Sequence, residues 1–291
     1  MTTEVSMQGK FIDAGGCRTY YLDEGKGSVI VLMHGAGATS DAYGAWFRTI
    51  PALSRSFRVI AFDQIGFGRT DMTKDGKYFN RLERVDHALA FLDALGIDEA
   101  ILLGHSEGAF MAARMAIVRP ALARKLVLAT TGGTAPRLGG DADRGWMEAS
   151  SHAYDFRALT ASEESYVAGN NRLGKLHDTE YETIVRDAYR RAAARNQLEI
   201  FCNLPESETD FLKYVELQEQ HIHPHLGSLT MPTLLIWATE DRTVPVERGL
   251  ALMRLIPNAD MHVLGGASHM VMLDRTEAFN RLLVAWCGTQ E

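Results

Sequence analysis

A doubly wound α/β architecture, with a mostly parallel sheet and a helical segment inserted late in it, is what this 291-residue sequence predicts. Three observations carry the prediction. Six short, nearly continuous apolar runs read as strands buried on both faces, the setting of a parallel sheet covered by helices. Stretches with apolar residues at helical spacing alternate with them. One long interval, from about Thr134 to Leu226, holds only helix-like patterns.

The elements follow in order. "CRTYYLDEG" (Cys17 to Gly25) alternates apolar and polar residues, as a half-exposed antiparallel strand does. "SVIVLMH", "FRVIAFD", "AILLGH", "KLVLAT", "PTLLIWA" and "DMHVLGG" are the six buried-strand runs. "RLERVDHALAFLDALG" reads as a helix closed by Gly96, and "EGAFMAARMAIV" and "DRTEAFNRLLVAWC" as two more. Between the fourth and fifth runs lie "RGWMEASSHAYDF", "SEESYVAGNNRL", "TEYETIVRDAYRRAAARNQLEIF" and "SETDFLKYVELQEQ". These divisions give a core over residues 1–133 and 227–291 and a helical cap over 134–226, expected to cover the carboxyl ends of the strands, where ligands bind in open α/β sheets.

Composition narrows the function. The chain is 46% hydrophobic and 23% charged, a soluble globular profile, with no apolar run long enough for a membrane span. The first residues lack the apolar stretch of a signal peptide. Three scattered cysteines, an odd number, argue against a disulfide framework and suit a reducing cytoplasm. A net charge of −7 without a basic cluster makes nucleic acid and anionic membranes poor partners and leaves a small-molecule substrate.

The chemistry-bearing motifs sit at strand ends. "GHSEG" (Gly104 to Gly108) fits G-x-S-x-G, with a strand before Ser106 and a helix after it. The turn is so tight that side chains two places either side of the serine would clash, which explains both glycines. A serine hydroxyl needs a base to become a nucleophile. His269, in "GGASHMVML", follows the last strand and supplies one. The acid that orients it should end the preceding strand; "ATEDRTVP" offers Asp241, preferred, and its neighbour Glu240. An oxyanion would be held by the backbone N–H of Glu107 and by a second donor in "HGAGATS", with Ala36 first and Gly37 as alternate. His34 is expected to orient that loop. The glycines of "FDQIGFGRTD" lack the pattern of a phosphate loop, and His221, His223 and His225 lack convincing carboxylate or thiolate partners, so no metal and no cofactor is expected.

"HGAG", "FDQIGFGRTD", "GHSEG", "ATEDRTVP" and "GGASHM" stand in the order used by the α/β-hydrolase superfamily, which the chain resembles over almost its whole length. Within it the sequence is most similar to the carbon–carbon hydrolases of meta-ring-cleavage products in aromatic catabolism. "KLVLATTGGT" resembles their glycine-rich segment, and "RNQLEIF" (Arg195 to Phe201) the cap stretch carrying their substrate-binding arginine. The resemblance thus implies a Ser106–Asp241–His269 triad, a substrate carboxylate held by Arg195, and substrate contacts at His34, His105, Trp46 and Met270. Four positions depart from the family. Met270 replaces a tryptophan and His105 an asparagine, an expected asparagine near Trp46 is absent, and Glu107 stands where an apolar residue is usual. The Glu107 side chain has two readings: a buried, protonated donor to substrate, or a group turned away to pair with a cap cation. The implied reaction is hydrolytic C–C cleavage of a ring-cleavage-type diketone acid; the alternative is a carboxylic ester or lactone hydrolase. A hydrolase-like receptor is disfavoured by the complete triad, and haloalkane dehalogenation by the serine at position 106. An exposed apolar surface beside the last strand could support a homodimer.

Overall fold

The structure is a computed structural model that describes residues 7–73, 75–153, 155–205 and 211–289. Its centre is one eight-stranded sheet: β1 (Lys10–Ala14), β2 (Cys17–Gly25), β3 (Val29–Met33), β4 (Arg58–Phe62), β5 (Ala100–His105), β6 (Ala123–Ala129), β7 (Thr233–Ala238) and β8 (Ala259–Leu264). The strands lie in the order β1-β2-β4-β3-β5-β6-β7-β8. β2 runs antiparallel to β1 and β4, and all other pairs are parallel. β1 was not anticipated; its short, largely exposed sequence carries little periodic signal. β8 also differs from expectation. It is the sheet edge, so none of its residues is fully buried and Val263 stays 42% exposed, unlike the two-sided burial of β5 and β7.

Period-two alternation divides the strands between two cores. Val31, Met33 and Leu102 face one side, where α3 (Arg81–Ala94) and α4 (Glu107–Val118) contribute Phe91, Leu92, Phe110 and Met111. Ile30, Leu32, Ile101 and Leu103 face the other, against α1 (Ala42–Trp46), α2 (Ile50–Leu53) and the C-terminal helices. α3 starts at Asn80, whose side chain accepts from the N–H groups of Leu82 and Glu83 while Glu83 reaches back to Asn80, a reciprocal cap; Gly96 follows its end at φ +65°.

Between β6 and β7 come α5 (Gly140–Ala153), α6 (Phe156–Leu159), α7 (Glu163–Leu173), α8 (Thr179–Ala194), α9 (Gln197–Cys202) and α10 (Phe211–His221). The long helix expected from Thr179 to Phe201 is broken, because Asn196 takes a left-handed conformation at φ +60° that a helix cannot pass through. Residues 207–210, the expected start of the last of these helices, lie outside the described residues. After β7 follow α11 (Val246–Met253), α12 (Val271–Asp274) and α13 (Thr276–Gly288). Among the described residues no helix is long and apolar enough to cross a membrane.

Candidate active site

β5 is buried along its whole length and ends at His105. The chain then reverses at Ser106, held at φ 54° and ψ −120°, and enters α4 at Glu107. A non-glycine residue there is strained, at a cost of about 1–3 kcal/mol supplied by the surrounding packing. Two close approaches force the flanking glycines. A Cβ on Gly104 would strike the Gly108 carbonyl, and one on Gly108 would strike the carbonyls of Met33 and His34 at the end of β3. The loop after β3 passes equally close to the serine: a Cβ on Gly35 would lie 3.1 Å from Ser106 Cβ.

His269, on the loop between β8 and α12, is buried, and its Nδ1 lies 2.8 Å from Asp241 Oδ2. The other carboxylate oxygen accepts from Thr243 N (2.9 Å), Thr243 Oγ1 (2.8 Å) and Val244 N (2.9 Å). Burial alone would raise the Asp241 pKa. The charge of His269, with hydrogen bonds from His269, Thr243 and Val244, outweighs burial and holds it below the usual carboxylate value. The Thr243 oxygen also sits 3.1 Å from His269 Nδ1. The backbone of His269 is fixed separately: its carbonyl accepts from His105 Nε2 and from Thr130 Oγ1, both at 2.9 Å.

Ser106 and His269 open into one cavity of about 100 Å³. His34, Gly35, Ala36 and Gly37 of the β3–α1 loop line it, as do Thr39, Ser40 and Asp41. α7 contributes Tyr166, and α8 contributes Tyr181, Ile184, Val185 and Ala188. The helices inserted after β6 thus wall the space above the serine. A larger hollow of about 510 Å³ lies among α5, α6 and α7, but it holds none of the predicted catalytic residues. Asp41 supplies a carboxylate to the cavity. Its Oδ1 caps α1 through Gly44 N at 2.6 Å, and its Oδ2 pairs with Arg191 of α8 and, at 3.6 Å, with Arg69. Asp63, behind it, is raised to about 7 by burial and by the Asp41 charge.

The α/β hydrolase fold family model matches residues 28–276. The chain belongs to the α/β-hydrolase family. Its relatives include a 2-hydroxymuconate semialdehyde hydrolase of Pseudomonas putida, 32% identical over 94% of this chain and 92% of that protein. A 2-hydroxy-6-oxo-2,4-heptadienoate hydrolase of Pseudomonas putida F1 is 30% identical over 97% of each. A crystal structure of a mutant meta-cleavage product hydrolase from Pseudomonas fluorescens IP01, complexed with acetates, superposes with a TM-score of 0.78 at 29% identity, covering 96% of this chain and 97% of that one. The likeness to the meta-cleavage-product hydrolases read from sequence is therefore supported along the full length.

This α/β hydrolase disposes its other predicted site residues unevenly. Ala36, Gly37 and Met270 line the cavity. The Glu107 N–H is the first of α4 and has no helical carbonyl to donate to. Arg195 does not line the cavity: it closes α8 nearly two turns beyond Ala188, the last lining residue of that helix, and its guanidinium donates to the Thr70 carbonyl on the core loop after β4 at 2.6 Å. Trp46 is fully buried in the core below α1, and Gly44 and Ala45 line the cavity in its place. His105 borders the cavity, but its Nε2 is spent on the His269 carbonyl. Burial and then the neighbouring His269 push its pKa down to about 3, so it is a neutral hydrogen-bond donor that positions His269. His34 is buried, with its pKa down to about 4. Nδ1 donates to the Gly35 carbonyl (2.7 Å) and Nε2 accepts from Gln64 N (3.2 Å), so both nitrogens are taken by protein.

The Glu107 side chain points away from the cavity. Oε1 accepts from Tyr214 of α10, and Oε2 lies 3.6 Å from both Arg81 Nε and Arg84 Nη2 of α3. Of the two readings from sequence, the donor to substrate is wrong; the pairing is right, but the cations belong to the core and not the cap. Sequence reasoning missed Asp41, Tyr166, Tyr181, Thr130 and Thr243. Thr243 alone had a local signal, standing two residues after the acid and able to bond it across a turn.

Proposed function

We propose that this protein hydrolyses a carbon–carbon bond in a ring-cleavage-type diketone acid, with Ser106 as nucleophile, His269 as base and Asp241 as its orienting acid. The observation that carries the reading is the cavity shared by Ser106, on its strained turn, and by a His269 already bonded to Asp241. Support for the C–C class comes from the relatives named as hydrolases of such products.

His269 takes the proton of Ser106 through Nε2, while Nδ1–H stays on Asp241. The serine oxygen adds to the ketone carbon, and the oxyanion is held by the N–H groups of Glu107 and Ala36. The C–C bond breaks with its electron pair passing into the conjugated second ketone of the diketone, and the dienolate so formed takes the imidazolium proton on oxygen to leave as the dienol acid. Water, activated by the same histidine, then releases the acyl group from Ser106. No cofactor enters these steps.

One observation favours the second reading, a hydrolase of neutral esters or lactones. The ionisable carboxylate lining the cavity is Asp41, while Arg195 is committed to Thr70 and Arg191 to Asp41. A substrate carboxylate meets no uncommitted arginine among the described lining residues. The deciding experiment compares kcat/KM for a 2-hydroxy-6-oxo-dienoate with that for p-nitrophenyl acetate and short lactones, with Ser106→Ala as control. A dienoate advantage of a hundredfold or more establishes the C–C assignment; preference for the neutral substrates overturns it.

A further inference from the structure

The two proposed oxyanion donors come from separate parts of the chain, and useful stabilisation requires their spacing to be held within about 0.5 Å. A buried polar chain connects them. At the nucleophile end, Glu107 Oε2 faces Arg84 Nη2 at 3.6 Å. Arg84 Nη1 donates to Gln64 Oε1 at 3.5 Å. Gln64 holds His34 twice, its Nε2 donating to the His34 carbonyl at 2.5 Å and its backbone N–H to His34 Nε2 at 3.2 Å. His34 Nδ1 then donates to the Gly35 carbonyl at 2.7 Å. That last bond matters because a trans peptide points its N–H opposite to its C=O. Fixing the Gly35 oxygen therefore aims the Ala36 N–H. Arg84, Gln64 and His34 are fully buried, so these bonds face little competition from water.

We propose that Arg84 and Gln64 are positioning residues, bracing the turn after Ser106 against the loop after β3, with the Glu107 side chain as the anchor at the nucleophile end. The glutamate thus serves the site through its own backbone N–H. Tyr214 and Arg81 extend the brace to α10, since Tyr214 donates to Glu107 and Arg81 donates to the Tyr214 carbonyl. The inference rests on the serine reading and on the oxyanion hole proposed above.

The test is Gln64→Met, which keeps the volume, severs the link between Arg84 and His34, and leaves the Glu107–Arg84 ion pair in place. With p-nitrophenyl acetate, kcat is expected to fall about ten- to a hundredfold, the range of a donor displaced rather than removed. KM should stay within about threefold, because ground-state contacts are untouched. The inhibition constant of phenylboronic acid, whose serine adduct places an oxygen in the hole, should rise by a factor comparable to the loss in kcat. Folded Gln64→Met with kcat within about threefold of the parent, or with the loss confined to KM, overturns the brace. Should that variant fail to fold, Arg84→Lys is judged by the same criteria: it keeps the charge beside Glu107 but cannot fork to Gln64. Ser106→Ala run alongside separates the two failures. If it turns over at the parental rate the serine reading itself falls, whereas an inert Ser106→Ala beside a fully active Gln64→Met refutes only the brace.

Discussion

Replacing Asp241 by Asn tests the acid with almost no change in shape. Asp241 Oδ1 accepts three hydrogen bonds, from Thr243 N, Thr243 Oγ1 and Val244 N, while Oδ2 meets His269 Nδ1. An asparagine must keep its carbonyl oxygen toward the three donors, since turning the NH₂ group there would set donor against donor. The NH₂ group then faces His269 Nδ1 and favours the tautomer with the proton on Nε2, which cannot accept the serine proton. The imidazolium also loses a carboxylate with charge centres about 4 Å away, worth about 4 kcal/mol at an effective dielectric near 20, or roughly a thousandfold in kcat. We therefore expect kcat for p-nitrophenyl acetate to drop by about three orders of magnitude at pH 7 to 8, with a native circular dichroism spectrum. Glu240→Gln is the control: that side chain is 53% exposed and pairs with Lys175, and its loss should leave kcat within about twofold. An Asp241→Asn enzyme within tenfold of the parent, or a Glu240→Gln enzyme that is the more damaged, refutes the assignment.

Other expectations follow from the same geometry. Ser106→Gly and Ser106→Ala should both be inactive, with the glycine variant about 1 kcal/mol the more stable in urea denaturation because it relieves φ 54°; equal stabilities would contradict the strain. Arg195→Met should lower the melting temperature through the lost bond to Thr70 and leave KM for a dienoate within about threefold; a tenfold rise would restore a substrate role. Acid stability should show the buried imidazoles. His34 and His87 are depressed to about 4 and His105 to about 3 by burial, so between pH 6.5 and 4 the unfolded chain binds protons that the folded one refuses, and stability falls as pH falls. Asp63, raised to about 7 by burial and Asp41, works the other way in that window. The imidazoles outnumber the one raised carboxyl, so stability should fall overall from pH 6.5 to 4, a slope read from urea titrations across the range. His87→Gln, distant from the serine, should lower that slope by about one proton.

What the sequence disclosed followed from how locally each feature is determined. The turn at Ser106 was legible because its constraint is written within five residues: two glycines that touch backbone, a serine between them, an apolar strand before and a helix after. The pairing of Asp241 with His269 was legible because each residue ends or follows a strand, so chain order alone restricts the two positions. The cavity wall was not. Arg195 fell outside the cavity because only the part of α8 from Tyr181 to Ala188 passes over it, and how far along a helix a cavity reaches is a tertiary fact that no periodicity records. Trp46 sits next to the lining residue Ala45, and on a five-residue helix a single step turns a side chain from cavity to core.

The glutamate beside Ser106, the proposed nucleophile, joins these two kinds of information. Its backbone role could be inferred from position alone, whereas its side chain could be understood only after α3 was packed on α4, which brings Arg81 and Arg84 to it. Ionic groups buried this deeply are poor stabilisers compared with apolar residues of the same volume, and a core is not short of apolar alternatives. Their placement is better explained by geometry than by stability. They fix a carboxylate, a guanidinium and an amide along one line that starts at the peptide after Ser106 and ends at the peptide before Ala36. His105 follows the same logic on the opposite side of the serine, since its neutral ring holds the carbonyl of His269. Of the four departures from the family pattern, Glu107 and His105 thus bear on the alignment of the proposed reacting groups, and the cavity lining is left to Asp41, Met270, Tyr166 and the buried face of α8 that carries Tyr181, Val185 and Ala188. Differences in substrate choice between this hydrolase and its relatives should accordingly map to those cavity positions, and differences in kcat to the buried polar chain beneath them.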